Sequence, residues 1–149
     1  MAAPLLRKMA DKVSPSVLRR VSNFWPPFLG AGIRIDEVSS DFRFVKVSLR
    51  LSWFNRNYVG TQFGGSMYAM VDPFYMMMIM NNLGKEYIVW DKAARVDFIK
   101  PGKTTLSACF EIDDELLETI REKTRSGDKY VFDLPVEIKD VDGQTVARV

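Results

Sequence analysis

The chain has 149 residues, of which 47% are hydrophobic and 27% charged, which fits one globular domain with a core and leaves little room for two. A net charge of +2 with no basic stripe argues against a nucleic-acid surface. There is no histidine and a single cysteine, Cys109, which excludes Ser-His-Asp and Cys-His catalysis, His-bearing and all-cysteine zinc sites, and an intrachain disulfide. Proton transfer near neutral pH therefore falls to a carboxylate, a lysine, a tyrosine or a bound water. A solitary cysteine suits a reducing, cytoplasmic setting, and in its apolar strand-like run Cys109 is expected to be an inert buried thiol.

The opening stretch carries Arg7, Lys8, Lys12, Arg19 and Arg20 against Asp11, and lacks the apolar run of a signal peptide. Disorder is expected at most in the first dozen residues. Such a basic amphipathic start resembles a presequence or a membrane-surface helix. Capping favours a different outcome. Ser14 precedes Pro15 as an N-cap precedes a first helical residue, and Val17, Leu18, Val21 and Phe24 would pack inward. Trp25-Pro26-Pro27 is expected to end that helix. Residues 1–30 thus form an N-terminal helical segment, and 31–149 the main fold, within a single domain.

Residues 32–38 and 42–51 alternate apolar and polar side chains, as half-buried antiparallel strands do. Residues 52–65 are polar and contain glycine, so they read as a loop. From Ser66 to Leu83 no polar face exists, which predicts one long helix buried on all sides. It is short for a membrane span and contains Asp72 and Pro73, so a core helix is expected and no membrane. Gly84 suits a left-handed cap after it. Residues 87–100 and 104–112 read as strands. Asp113 and Asp114 can cap a short amphipathic helix ending near Gly127. Residues 129–139 and 144–149 read as strands joined at Asp142-Gly143, with Pro135 marking an edge or bulge. The expected class is α+β, a curled antiparallel sheet wrapped round a long helix. One sheet cannot cover a helix apolar on every side, so a homodimer is expected, and a homotetramer is compatible.

The run Asn57-Tyr58-Val59-Gly60-Thr61-Gln62-Phe63-Gly64-Gly65, followed by Asp72, resembles the hotdog-fold thioesterases, especially the phenylacetyl-CoA thioesterase-like group. That group shows an asparagine six residues before His-Gly-Gly and an aspartate seven after the last glycine. Asn57, Phe63-Gly64-Gly65 and Asp72 fall at those intervals. The stretch from Val96 to Gly102 is similar to the family strand that ends in an aromatic, a basic residue and proline, and Trp90-Asp91-Lys92-Ala93 resembles a bacterial branch of the superfamily. The likeness spans roughly residues 31 to 149. It implies hydrolysis of an acyl-CoA or similar thioester, with no metal and no cofactor. Phe63 stands where the family has histidine, and its ring can neither hydrogen-bond nor titrate.

The same residues also admit a direct reading. Gly64 and Gly65 at a helix start would offer unpaired N–H groups to an oxygen that becomes negative, or would simply let a buried helix begin tightly. Asp72, among Met70, Val71, Phe74 and Tyr75, would be costly to bury charged without a partner, so it is the candidate general base or nucleophile. Its structural alternative is a hydrogen bond to a lysine or arginine at a kink. Asn57 would hold a water or the thioester, or serve ordinary loop chemistry. Asp91 is a second acid or, preferably, an ion-pair partner of Lys92 or Arg95. Lys100 and Lys103 would meet coenzyme A phosphates or remain solvated. The four methionines Met76, Met77, Met78 and Met80 point to an apolar acyl group or to plain core packing. A hotdog dimer that binds acyl-CoA or lipid without turnover is the alternative function.

Overall fold

The computed structural model describes residues 14–149. Arg7, Lys8, Asp11 and Lys12, and the expectation of disorder in the first dozen residues, lie outside the described residues. Helices α1 (Pro15–Asn23) and α2 (Pro26–Ala31) lead into strands β1 (Ile33–Val38) and β2 (Phe44–Leu49). Helices α3 (Gly64–Ala69) and α4 (Phe74–Leu83) follow, then β3 (Asp97–Phe98), β4 (Leu106–Glu111), α5 (Asp114–Lys123), β5 (Glu137–Lys139) and β6 (Thr145–Arg148). The strands form one antiparallel sheet in the order β1-β2-β4-β5-β6-β3. This is the expected α+β architecture, a curled sheet with the apolar helix against its inner face.

Period-two alternation sets the faces. Ile33 and Ile35 of β1, Val45, Val47 and Leu49 of β2, and Leu106, Ala108 and Phe110 of β4 are all buried. Against them lie Phe74, Met78, Ile79 and Leu83 of α4. The Phe74 ring stands 5.1 Å from that of Phe110 and 6.2 Å from that of Phe28, centroid to centroid. The same alternation turns Cys109 outward opposite Lys46, so the thiol expected to be buried is exposed.

Several expected elements differ. The helix over residues 66–83 is two helices, because Pro73 lacks an N–H and disfavours helical geometry at Asp72. Val71 N and Asp72 N both turn back to Tyr68 O, and α4 restarts with Met77 N donating to Pro73 O. The first of the two begins at Gly64, two residues earlier than expected. The helix is also not buried all round: Tyr75, Met76, Met77 and Met80 are only half-buried, and Asp72 is exposed. Gly84 has φ +97° but not left-handed helical ψ. Ser14 caps α1 as expected, with Val17 N donating to its Oγ at 3.4 Å. Yet Val17, Val21 and Phe24 face outward rather than in, because Asn23 and Arg19 bind the opposite side of the helix to β1. Pro26 and Pro27 do not merely end a helix; they open α2 at its first turn, where a missing N–H costs nothing.

Two long strands are shorter than their patterns. Of residues 87–100 only Asp97 and Phe98 join a ladder, to Arg148 and Ala147. Among the described residues none pairs its backbone with 88–96, and Ile88 and Trp90 are 81% and 77% exposed. Residues 129–135 keep their in–out alternation without a ladder; Val136 exchanges both backbone hydrogen bonds with Val149 and β5 follows, so Pro135 sits just before the pairing begins, and the irregular register falls at Ile138/Lys139. Helix α5 is capped by Asp113, whose Oδ1 accepts from Leu116 N at 2.8 Å, and Asp142-Gly143 turns the last hairpin with Gly143 at φ +76°. No helix among the described residues is long and apolar enough to cross a membrane.

Truncating Phe74 removes the ring shared by α2, α4 and β4. Phe74→Ala is expected to cost ~3–5 kcal/mol in urea unfolding. A loss below ~1 kcal/mol would mean that the helix is not held by this contact.

Candidate functional site

The loop between β2 and α3 is built by side-chain amides. Asn55, buried, donates to Ala31 O at 2.8 Å and Arg50 O at 2.7 Å, and accepts from Ser52 N and Ser52 Oγ. Its amide packs on Gly32, which has φ +80° and no room for a Cβ. Asn57 works in the same way. It donates to Thr61 Oγ1 (2.9 Å) and Gln62 O (3.2 Å) and accepts from Val59 N and Thr61 N. All four of its hydrogen-bonding positions are used inside the turn, so the loop role prevails over the expected hold on a water or thioester.

Gln62 then crosses to the sheet, donating from Nε2 to Leu49 O and to Thr104 O, each at 3.0 Å. Its Oε1 is buried with no partner among the described residues. Gly102 lies against this side chain, where a Cβ would come within 3.0 Å of Gln62 Cγ. The result is a fixed platform from which α3 begins.

At that helix start Ser66 N and Met67 N both donate to Phe63 O, and no side chain caps the end. The N–H groups of Gly64 and Gly65 have no acceptor among the described residues. A Cβ on Gly65 would lie 2.5 Å from the Phe63 ring, and one on Gly64 would lie 2.9 Å from the Phe98 ring. The two phenyl rings thus pack directly on the glycines, and a larger residue at either position would have to displace a ring. Phe63 and Phe98 are themselves exposed. A cleft of about 370 Å³ opens here, lined among others by Asn57, Gln62, Gly64, Phe98 and Lys100.

Lys100 is engaged at the edge of this cleft. Its Nζ donates to Asp140 Oδ2 at 2.7 Å and to Gln144 Oε1 at 2.5 Å, clamping the β5–β6 hairpin. The ammonium holds the Asp140 carboxyl below the usual carboxylate range. A lysine so committed is a poor phosphate ligand, contrary to expectation; Lys103 is exposed.

The carboxylates form a second group. The turn at residues 70–73 sends Met70, Val71 and Phe74 into the core and Asp72 outward. The Tyr68 hydroxyl, one helical turn before it, lies close enough to the Asp72 carboxylate to interact with it. That interaction foremost, then burial, pushes the Tyr68 hydroxyl from 10.0 up to about 12. Asp91 stands close enough to feel the charge of Asp72; burial first, then that charge, raises its carboxyl. The expected ion pair of Asp91 is absent on the arginine side, because Arg95 Nε bonds Asp97 Oδ1 at 3.0 Å. The expected lysine or arginine partner of Asp72 is likewise replaced by a tyrosine.

Asn57, Gly64 and Lys100 therefore share the cleft, Gly65 and Phe63 adjoin it, and Asp72 and Asp91 meet each other outside its lining. Tyr68 was counted only as helix core, although its position four residues before Asp72 was a usable signal. Nothing in the sequence singled out Gln62, whose importance depends on carbonyls far away in the chain.

A family model matches residues 15–149. The chain belongs to the family described as Domain of unknown function (DUF4442). Its sequence matches no curated protein. In three dimensions this DUF4442 chain is similar to a Pseudomonas aeruginosa protein of unknown function described as a probable thioesterase, with TM-score 0.76 and 17% identity over 92% of this chain and 93% of that one. It is similar to a Haemophilus influenzae thioesterase, with TM-score 0.63 and 10% identity over 92% and 86% of the two chains. It also resembles the Escherichia coli PaaI protein from the phenylacetic acid degradation operon, with TM-score 0.57 and 16% identity over 92% and 91%. At such identities the likeness is one of fold, and the fold is the hotdog fold of these thioesterases.

The Tyr68–Asp72 interaction has a measurable signature. Because the folded hydroxyl keeps its proton to about pH 12 and the unfolded one to 10.0, this stabilisation is complete below pH 10.0 and lost as pH rises between those values. Tyr68→Phe is expected to flatten that part of the alkaline fall in melting temperature. Identical alkaline slopes in parent and variant would rule the interaction out.

Proposed function

We propose that this chain is a cytoplasmic acyl-thioester hydrolase acting on an acyl-CoA or similar thioester, and that it works as a homodimer. The observation that carries the reading is the exposed Asp72 carboxylate at a proline break, with Tyr68 acting on it, seven residues past the Gly64-Gly65 helix start whose N–H groups have no acceptor among the described residues. Asp72 takes a proton from water, the water oxygen adds to the thioester carbon, and the carbonyl oxygen becomes negative against the Gly65 amide. Collapse then breaks the C–S bond, and the proton passes to the departing thiolate. The half-buried Met76, Met77 and Met80 suit an apolar acyl chain.

A second copy fits the unpaired backbone of residues 88–96, where Ile88 and Trp90 are exposed beside Asp91. Free edges of this kind are templates for pairing, and a partner there would draw water away from Asp72 and Asp91. The alternative of a hotdog dimer that binds an acyl-CoA or lipid without turnover is favoured by Phe63 in the histidine position and by the full engagement of Asn57.

The two differ under one substitution. Asp72→Asn keeps shape and hydrogen bonding but removes the base, so kcat, read by free thiol release across acyl-CoA chain lengths, should fall about 100- to 10,000-fold. Ligand affinity should change little. Turnover in the parent that survives in a well-folded Asp72→Asn protein would refute the mechanism. An inert parent that still binds acyl-CoA would establish the binder.

A further inference from the structure

Helix α1 is pinned to the fold by one side only. Asn23 Nδ2 donates to Ile35 O at 3.0 Å, Ile35 N donates to Asn23 Oδ1 at 2.7 Å, and Arg19 Nη1 donates to Asp36 O at 3.0 Å. The other side carries Val17, Val21 and Phe24 at the i, i+4, i+7 spacing of one helical stripe; Trp25, the N-cap of α2, adjoins it, and Leu29 within α2 is exposed as well. Val21 is 65% exposed and Phe24 76%. A cleft of about 650 Å³, lined by Arg20, Val21, Phe24 and Trp25 among others, opens within this patch. Single exposed apolar residues are ordinary, but a contiguous stripe fixed in place by hydrogen bonds to the sheet requires a covering medium.

Charge decides which medium. The first 24 residues carry five basic side chains, Arg7, Lys8, Lys12, Arg19 and Arg20, against the single acid Asp11. With a whole-chain balance of +2, the remainder is net acidic. An apolar stripe bordered by bulky aromatics and set in the basic part of a polarised chain matches the chemistry of an anionic bilayer surface: acyl region for the stripe, headgroup boundary for Trp25, phosphates for Arg20 beside them. Two copies meeting face to face through this segment would instead bring like charges together. We propose that α1 and α2 form a peripheral docking surface for anionic phospholipid membranes. The chain lies on the bilayer through this stripe and does not cross it.

Flotation of the full-length protein with phosphatidylcholine vesicles, with and without phosphatidylglycerol, tests this. The parent should float with the anionic vesicles, bind weakly or not at all to phosphatidylcholine alone, and release as salt rises. Val21→Ser combined with Phe24→Ser should lower partitioning at least tenfold. Arg20→Glu, which leaves the stripe intact, should lower it by about tenfold. Circular dichroism and sedimentation should be unchanged in both variants, since these side chains are exposed. Failure of the parent to float with anionic vesicles would overturn the proposal, as would parent-like binding by the variants. A changed oligomeric state in the serine variant would overturn it too, by making the stripe an interface between copies.

Discussion

Phe74 lies between Phe28 and Phe110, and through it the helix α4, the N-terminal segment and the middle of the sheet become one packed body. Its immediate predecessor is Pro73, which stops α3 from running straight into α4. The two neighbours act together: the ring draws the start of α4 into the core, and the proline leaves Asp72 on the outside of the turn. A continuous helix would place residue 72 by helical period alone. The break lets a carboxylate stand exposed within a segment whose other members are apolar, without an uncompensated buried charge.

The rest of the candidate site depends on rigidity achieved elsewhere. Asn55, Asn57 and Gln62 convert a polar loop into fixed structure by binding backbone carbonyls and N–H groups, so the start of α3 is held on a frame rather than on a free loop. Two rings, Phe63 and Phe98, lie directly against the glycines at positions 64 and 65, and a larger residue at either would have to displace one of them. An apolar approach to unpaired N–H groups is a favourable place for a polarised carbonyl, because hydrogen bonds strengthen where water is excluded. Phe63 stands where the thioesterases this sequence resembles carry histidine, and its ring shapes this approach without titrating.

Much of this was legible in the residues. Alternation in 32–38, 42–51 and 104–112 gave the inner face of the sheet, since side-chain period depends only on local geometry. Capping at Ser14 and Asp113, and the turn at Asp142-Gly143, followed from local hydrogen-bonding chemistry. Of the residues singled out by spacing, Asn57 and Gly64 line one cleft, while Asp72 stands outside its lining. What escaped were properties set by distant partners. Residues 87–96 and 129–135 have strand-like patterns, but a ladder needs a neighbour, and no local signal reports whether one exists. The outward stripe of α1 was taken for an inward one because an amphipathic pattern defines a face without saying which way it points. Lys100 looked like a free cation until the hairpin brought Asp140 to it, and Cys109 was assigned to the wrong face of β4.

The sheet covers one side of α4, while Tyr75, Met76, Met77 and Met80 stay half-buried and the neighbouring edge at 88–96 offers unpaired backbone with two large exposed side chains. The carboxylates of the proposed mechanism, Asp72 and Asp91, belong to the same stretches of chain, where a partner would exclude water. The proposed second copy addresses all three features together, which makes association the most exposed part of the account. Sedimentation velocity of the full-length protein at micromolar concentration tests it most directly. A single dimeric or tetrameric species that persists on dilution is the predicted result, and a stable, well-folded monomer would contradict it.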